Sequence, residues 1–200
     1  MDLFDTIDSR RSVKHYDANA SLPETDFQRI MEAAIKAPTS FNIQHWRFVR
    51  VRDGALRQQI RAAAWNQAQV TDASELLVIV GDARAWARQP ERYWRHADAA
   101  TRDALVPMLQ DFYRDRDWLQ RDEAIRSGAM AAQNIMLSAK ALGYDSNPMI
   151  GFDIDEVGRL LKLPEDHVIV MMLAIGTATS PAWPRSGQLA LDELVVADHF

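Results

Sequence analysis

A chain of 200 residues with 48% hydrophobic and 26% charged side chains can bury a substantial core and lacks the composition of a disordered segment. Its formal charge of −5 argues against a surface built to neutralise nucleic-acid phosphates, and its longest apolar runs, such as Val168–Ile175, fall far short of the roughly 20 residues that span a bilayer. With no cysteine, the chain has no disulfide, thiol nucleophile or Cys-ligated metal, so any redox chemistry needs a borrowed cofactor. The acidic start, Met1-Asp2-Leu3-Phe4-Asp5, lacks the basic and apolar pattern of a secretory signal, which predicts a cytoplasmic location.

No Pro/Gly/Ser-rich seam divides the chain, and residues 1–200 read as one domain. Residues 2–9 have the pattern of a short amphipathic helix leading into the polar segment Arg10-Arg11-Ser12-Val13-Lys14. Ser21 and Glu24 have capping-box spacing ahead of Phe27, Ile30, Met31, Ala34 and Ile35, a helical stripe that Pro38 closes. A polar loop over 37–44 precedes a strand at Trp46–Val51, and Asp53-Gly54 opens a helix that runs to about Trp65. Leu76–Val80 suits a buried strand, whereas 82–123 reads as a mostly helical excursion with a charge-balanced outer face. From Asp122 to Leu142 a long stripe is apolar on more than one side, which predicts a central or interfacial helix ended by Gly143. A helix over 153–163 capped by Asp153, a buried strand at Val168–Ile175 and a small strand at Leu194–Ala197 complete the chain. Helices and strands alternate without a strict βαβ rhythm, which predicts an α+β sandwich around a central sheet.

The motifs of dinucleotide folds, P-loops, hydrolase elbows and zincins are all missing, and the five histidines show no metal-ligand spacing, so no metal is expected. Three polar segments remain. In an extended chain Arg10, Ser12 and Lys14 share one side and offer a guanidinium, a hydroxyl and an ammonium to a phosphorylated ligand, although taken alone the segment reads first as a solvated basic turn. Pro38–Trp46 concentrates hydroxyl and amide side chains that can bond a polar ligand edge or simply close a turn. Asn147–Asp153 holds Gly151 at a helix start, where a backbone can approach a ligand closely.

Taken together, Arg10-Arg11-Ser12-Val13-Lys14, Pro38–Trp46, Ala141-Leu142-Gly143-Tyr144 with Pro148–Asp153, and Pro184-Arg185-Ser186 resemble the nitroreductase family in identity, order and spacing. The resemblance covers almost the whole chain and is vaguest over 82–123. It implies an α/β/α sandwich with a mostly antiparallel central sheet, dimeric with an exchanged C-terminal tail, that binds FMN. It implies that Arg10, Arg11 and Ser12 contact the phosphate and ribityl chain, that Lys14 and Asn66 lie at the pyrimidine edge, and that Met149, Ile150 and Gly151 run beside flavin N5. Arg185 is implied as a further phosphate cation, and Thr39, Ser40 and Asn42 as contacts from the opposite subunit. The implied reaction passes a hydride from NADH or NADPH through the flavin to a nitroaromatic, quinone or related small oxidant in a ping-pong scheme, with no separate catalytic side chain.

About three charge-assisted hydrogen bonds at roughly 1.5–3 kcal/mol each fall short of, or only just reach, the roughly 8–12 kcal/mol of micromolar to nanomolar binding. Burial of the ring must supply the rest, which fits a site at a seam between subunits. Three positions depart from the family pattern: Ile150 stands where an acidic residue is common, His45 replaces a proline, and Gly187 replaces a second basic residue. The same scaffold also admits dehalogenation, enone reduction or flavin destruction. A non-catalytic FMN carrier, or a colourless helical interaction module using 82–123, are the readings from other classes.

Overall fold

The computed structural model describes residues 2–200. Its elements in chain order are α1 (Leu3–Ser9), α2 (Glu24–Ala34), β1 (Trp46–Arg50), α3 (Gly54–Ala63), α4 (Gln69–Asp72), β2 (Glu75–Asp82), α5 (Ala99–Tyr113), α6 (Asp117–Ala141), β3 (Asp145–Met149), α7 (Ile154–Leu160), β4 (His167–Gly176) and α8 (Leu191–Leu194). Every strand pair is antiparallel, in the order β1-β2-β4-β3.

The two central strands are apolar on both faces because both faces are covered. On β2, Leu77 and Ile79 pack with Ile30 and Ala34 of α2 and with Ala132, Ile135 and Ala139 of α6. The alternate residues Leu76, Val78 and Val80 pack with Ile60 of α3 and Val157 of α7. Helices therefore stand on both sides of the sheet, the α/β/α sandwich that the resemblance implies. No helix among the described residues is long and apolar enough to cross a membrane.

Between β2 and β4 the register shifts, so that Ile79 opposes Met171 while Val80 opposes Ile169. The extra residue is Val170, which joins Met171 on the α6 side instead of alternating away from it. Gly128 of α6 receives that side chain, since a Cβ there would lie 2.6 Å from Val170 Cγ2. Gly81 of β2 does the same for α6 further along, with a would-be Cβ 2.9 Å from that of Ala124. The long helix, expected to be central from its apolar breadth, packs against both the sheet and α2.

Two expectations fail. α2 is not opened by a Ser21–Glu24 box: Pro23 is the N-cap and makes no side-chain bond. The Glu24 carboxylate instead accepts from Arg50 at 2.8 and 2.9 Å and from Arg52 at 2.7 Å, an outward role that spacing alone does not reveal. Leu194–Ala197 is not a strand. Residues 191–194 form one helical turn, and the apolar residues after it stay exposed with no sheet edge beside them. A strand also appears where a helix approach was expected, at Asp145–Met149.

Replacing Gly128 by valine should lower stability by about 1–3 kcal/mol through overpacking against the bulge. A urea titration should show a lower midpoint with an unchanged m-value.

Candidate functional site

The polar segment at residue 10 is placed by what precedes and follows it. α1 ends at Ser9, and Arg10 leaves it in extended conformation with its N–H donating to Thr6 O at 3.0 Å. The chain then runs beside β3 through a parallel bridge between Ser12 and Ser146, with the Val13 N–H donating to Ser146 O at 3.1 Å. Side chains alternate as expected, since Val13 is buried while Ser12 and Lys14 are exposed.

The C-terminal tail returns along the same segment in the opposite direction. Asp17 N–H donates to Thr177 O at 2.9 Å and Thr179 N–H to His15 O at 3.0 Å. Further on, Arg11 Nη2 donates to Trp183 O, and Arg185 Nη2 donates to Asp8 O at 3.0 Å. This pairing carries Arg185 back to Arg10 across 175 residues of sequence.

Between the two runs lies a cleft of about 300 Å³ lined by Arg10, Arg11, Ser12, Lys14 and Arg185 together with Trp183, and no acidic side chain lines it. Arg10 Nη1 is buried without a hydrogen-bond partner. Burial, with Arg185 and Arg11 adding like-charge repulsion, pushes the Arg10 guanidinium below its usual pKa. Its environment therefore favours an anion beside it. Lys14 Nζ lies 4.2 Å from the centre of the Trp183 ring, which forms one wall. Sequence reasoning missed Trp183; its flanking prolines, Pro181 and Pro184, and its nearness to Arg185 were the available signal.

A second group forms at the end of β3. Met149 is buried, Ile150 is exposed, and the Gly151 carbonyl accepts from Gln67 Nε2 at 2.7 Å. A Cβ on Gly151 would lie 2.9 Å from the Trp65 ring, so the close approach expected of this glycine is made by a neighbouring aromatic. Trp65 and Asn66 both adopt left-handed φ, 53° and 58°, and Asn66 is exposed. The parallel bridge at Ser12 runs Lys14 in the same direction as the strand that carries Met149, so both groups follow one edge of the sheet.

Thr39, Ser40 and Asn42 do not join this cleft within one chain. They form a tight turn with left-handed φ at Phe41 and Asn42, in which Thr39 Oγ1 accepts from Gln44 N–H at 3.1 Å and Asn42 Nδ2 donates to Tyr93 O at 2.8 Å. His45, beside them, is fully buried and hydrogen-bonded through Nδ1 to Ser127 Oγ at 2.9 Å. His167, one of the five histidines without metal-ligand spacing, meets Asp82 and Asp166, but Arg47 and Arg88 already bond Asp82 Oδ2 at 3.2 and 2.9 Å.

The chain is thus a layered α+β fold with an acid-free cationic cleft where its two ends meet. Comparison with known proteins narrows it: the model of the nitroreductase family matches residues 7–177, and the chain belongs to that family of oxidoreductases. Protein DrgA of Synechocystis sp. is 53% identical over 182 residues, covering 91% of this chain and 87% of its own. A protein of Thermus thermophilus named NADH dehydrogenase is 32% identical, with 94% and 91% covered. A protein of Exiguobacterium sibiricum, solved in complex with FMN, is 29% identical at a TM-score of 0.90, with 98% and 97% covered.

Burial, with Arg47 adding repulsion, pushes the His45 pKa down to about 4. The folded chain then keeps this imidazole neutral while the unfolded chain protonates near 6.5. Its contribution to stability is complete above about pH 6.5 and is lost on acidification toward pH 4, by at most about 3 kcal/mol. Urea titrations between pH 7 and pH 4 should show a steeper loss for the native chain than for His45→Gln.

Proposed function

We propose that the chain is an FMN-dependent oxidoreductase, a cytoplasmic homodimer of one-domain subunits that takes electrons from NADH or NADPH and delivers them to a nitroaromatic, quinone or related small oxidant. When bound, FMN supplies the two-electron chemistry that a chain without cysteine cannot provide from its own side chains. The observation that carries this reading is the acid-free cleft of Arg10, Arg11, Lys14 and Arg185, with one guanidinium nitrogen buried and unpartnered. Such a donor set fits a phosphate, which takes several charge-assisted hydrogen bonds at once.

In this reading Arg10, Arg11 and Arg185 hold the phosphate, and Ser12 donates to it or to the adjoining chain. Lys14 and Asn66 offer a cation and an amide to the polar edge of the ring, and the Met149–Gly151 backbone runs along it. Thr39, Ser40 and Asn42 complete the pocket from a second subunit. Two features support a dimer. Leu3, Phe4 and Ile7 of α1 are exposed together, and residues 186–200 are all exposed despite containing Leu189, Leu191, Leu194, Val195, Val196 and Phe200. An exposed tail this apolar fits exchange onto a partner.

The purified protein should be yellow and should oxidise NADH or NADPH in the presence of a nitroarene or quinone; a colourless chain that takes up no added FMN would end this reading. A coloured chain without turnover would favour the carrier. Arg10→Ala should weaken FMN binding by about 10- to 100-fold, the loss of one charge-assisted bond, measured by fluorescence titration of the stripped protein.

A further inference from the structure

A second cationic site lies outside the cleft. The loop after the Thr39–Asn42 turn and the 3-10 turn at Pro90–Trp94 border a pocket of about 580 Å³ lined by Asn42, Gln44, Arg47, Arg92, Arg95 and His96, over a floor of buried Trp46 and Tyr93. No acidic side chain lines it. Arg47 has a carboxylate partner, Asp82, but shares it with Arg88. Arg92 lies over the Tyr93 ring, 5.0 Å from its centre, and donates to the Tyr93 hydroxyl at 3.0 Å, while Arg95 Nε donates to His96 Nε2 at 3.3 Å. Neither Arg92 nor Arg95 has an acidic partner among the described residues.

Arg47 is tied into the fold by Asp82 and by the carbonyls of Gln44 and Trp46, whereas Arg92 and Arg95 add two guanidinium charges to the same hollow with no carboxylate to offset them. The floor is already fixed by Tyr93, whose hydroxyl donates to Ala85 O at 2.7 Å and whose carbonyl accepts from Asn42. Arg92 and Arg95 are exposed, and each can turn a planar fork of donors toward a ligand. Asn42 belongs both to this pocket and to the turn assigned above to the flavin of the opposite subunit.

We propose that this pocket recognises an oxyanion, a phosphate or a carboxylate, on the small molecule that the enzyme turns over. This rests on the flavin reading only for what the visitor is. The anion holds the far end of the molecule while its reacting end lies past Asn42. Two sources share this chemistry, the phosphates of the nicotinamide reductant and an acidic group on the oxidant.

The test is the double variant Arg92→Gln, Arg95→Gln. Flavin absorbance per chain is measured first and should match the native protein, because neither residue belongs to the flavin cleft. Next, kcat/KM is measured at low ionic strength for NADPH and NADH, and for 4-nitrobenzoate and nitrobenzene. A fall of about fivefold or more, abolished by high salt, is expected for at least one anionic substrate with nitrobenzene unchanged. A fall confined to NADPH assigns the pocket to its extra phosphate; an equal fall for both nicotinamides assigns it to their diphosphate; a fall confined to nitrobenzoate assigns it to the oxidant. No change for any substrate, or an equal fall for all four, overturns the proposal. If the native chain proves to hold no flavin, equilibrium dialysis of pyrophosphate decides the pocket separately: binding by the native chain and not by the double variant supports it, and equal or no binding by both rejects it.

Discussion

The close seating of α6 on the sheet is the constraint on which the rest of the molecule depends. A β-bulge turns Val170 toward the helix, and only a residue without a side chain can face it, so Gly128 sits at that point. At Gly81 the roles are exchanged, with the strand yielding space to Ala124 of the helix. Glycine inside a helix costs about 1 kcal/mol against alanine, and close packing of the long helix offsets that cost. With α6 held at this distance, α2 and α1 both pack against it. α1 then releases the chain at Arg10, beside the start of β3.

The cleft gathers like charges without cancelling them. Arginines that brace the sheet are fixed by acids: Arg50 bonds both Glu75 and Glu24, and Arg88 bonds both Asp82 and Asp166. In the cleft the corresponding partners are carbonyls. Trp183 O holds Arg11 and Asp8 O holds Arg185, so each of these guanidinium groups is oriented by a neutral group with no carboxylate bonded to it. The repulsion that results falls on Arg10, whose lowered pKa reports burial first and its two neighbours second. An anion placed there would relieve this repulsion, which is what supports the proposed phosphate site over a structural ion network.

How much of this was legible in the sequence depends on the range of the interactions concerned. The α2 stripe, the caps at Asp53 and Asp153 and the doubly buried runs of β2 and β4 are local patterns, and they appear where periodicity puts them. Arg10, Ser12 and Lys14 could be placed on one side because alternation in an extended chain is also local. What spacing could not show was competition: Glu24 had a capping option three residues from Ser21, but two arginines of another element claimed it. Strand β3 was hidden because Asn147 and Pro148 disfavour strands, and only pairing with β4 overrides them. The tail failed in the opposite sense, since Leu194–Ala197 has strand-forming residues but no neighbouring edge within its own chain to pair with. Trp183 entered the site through a tail register that no sequence window contains.

Pro148 has one more effect. β3 is an outer strand, and its free side is covered for only a short stretch by the chain at Ser12 and Val13. Proline has no N–H, so beyond that stretch the strand cannot offer the unbroken row of donors that a foreign strand would need in order to add on. The margin that carries Met149 thus remains a poor template for aggregation.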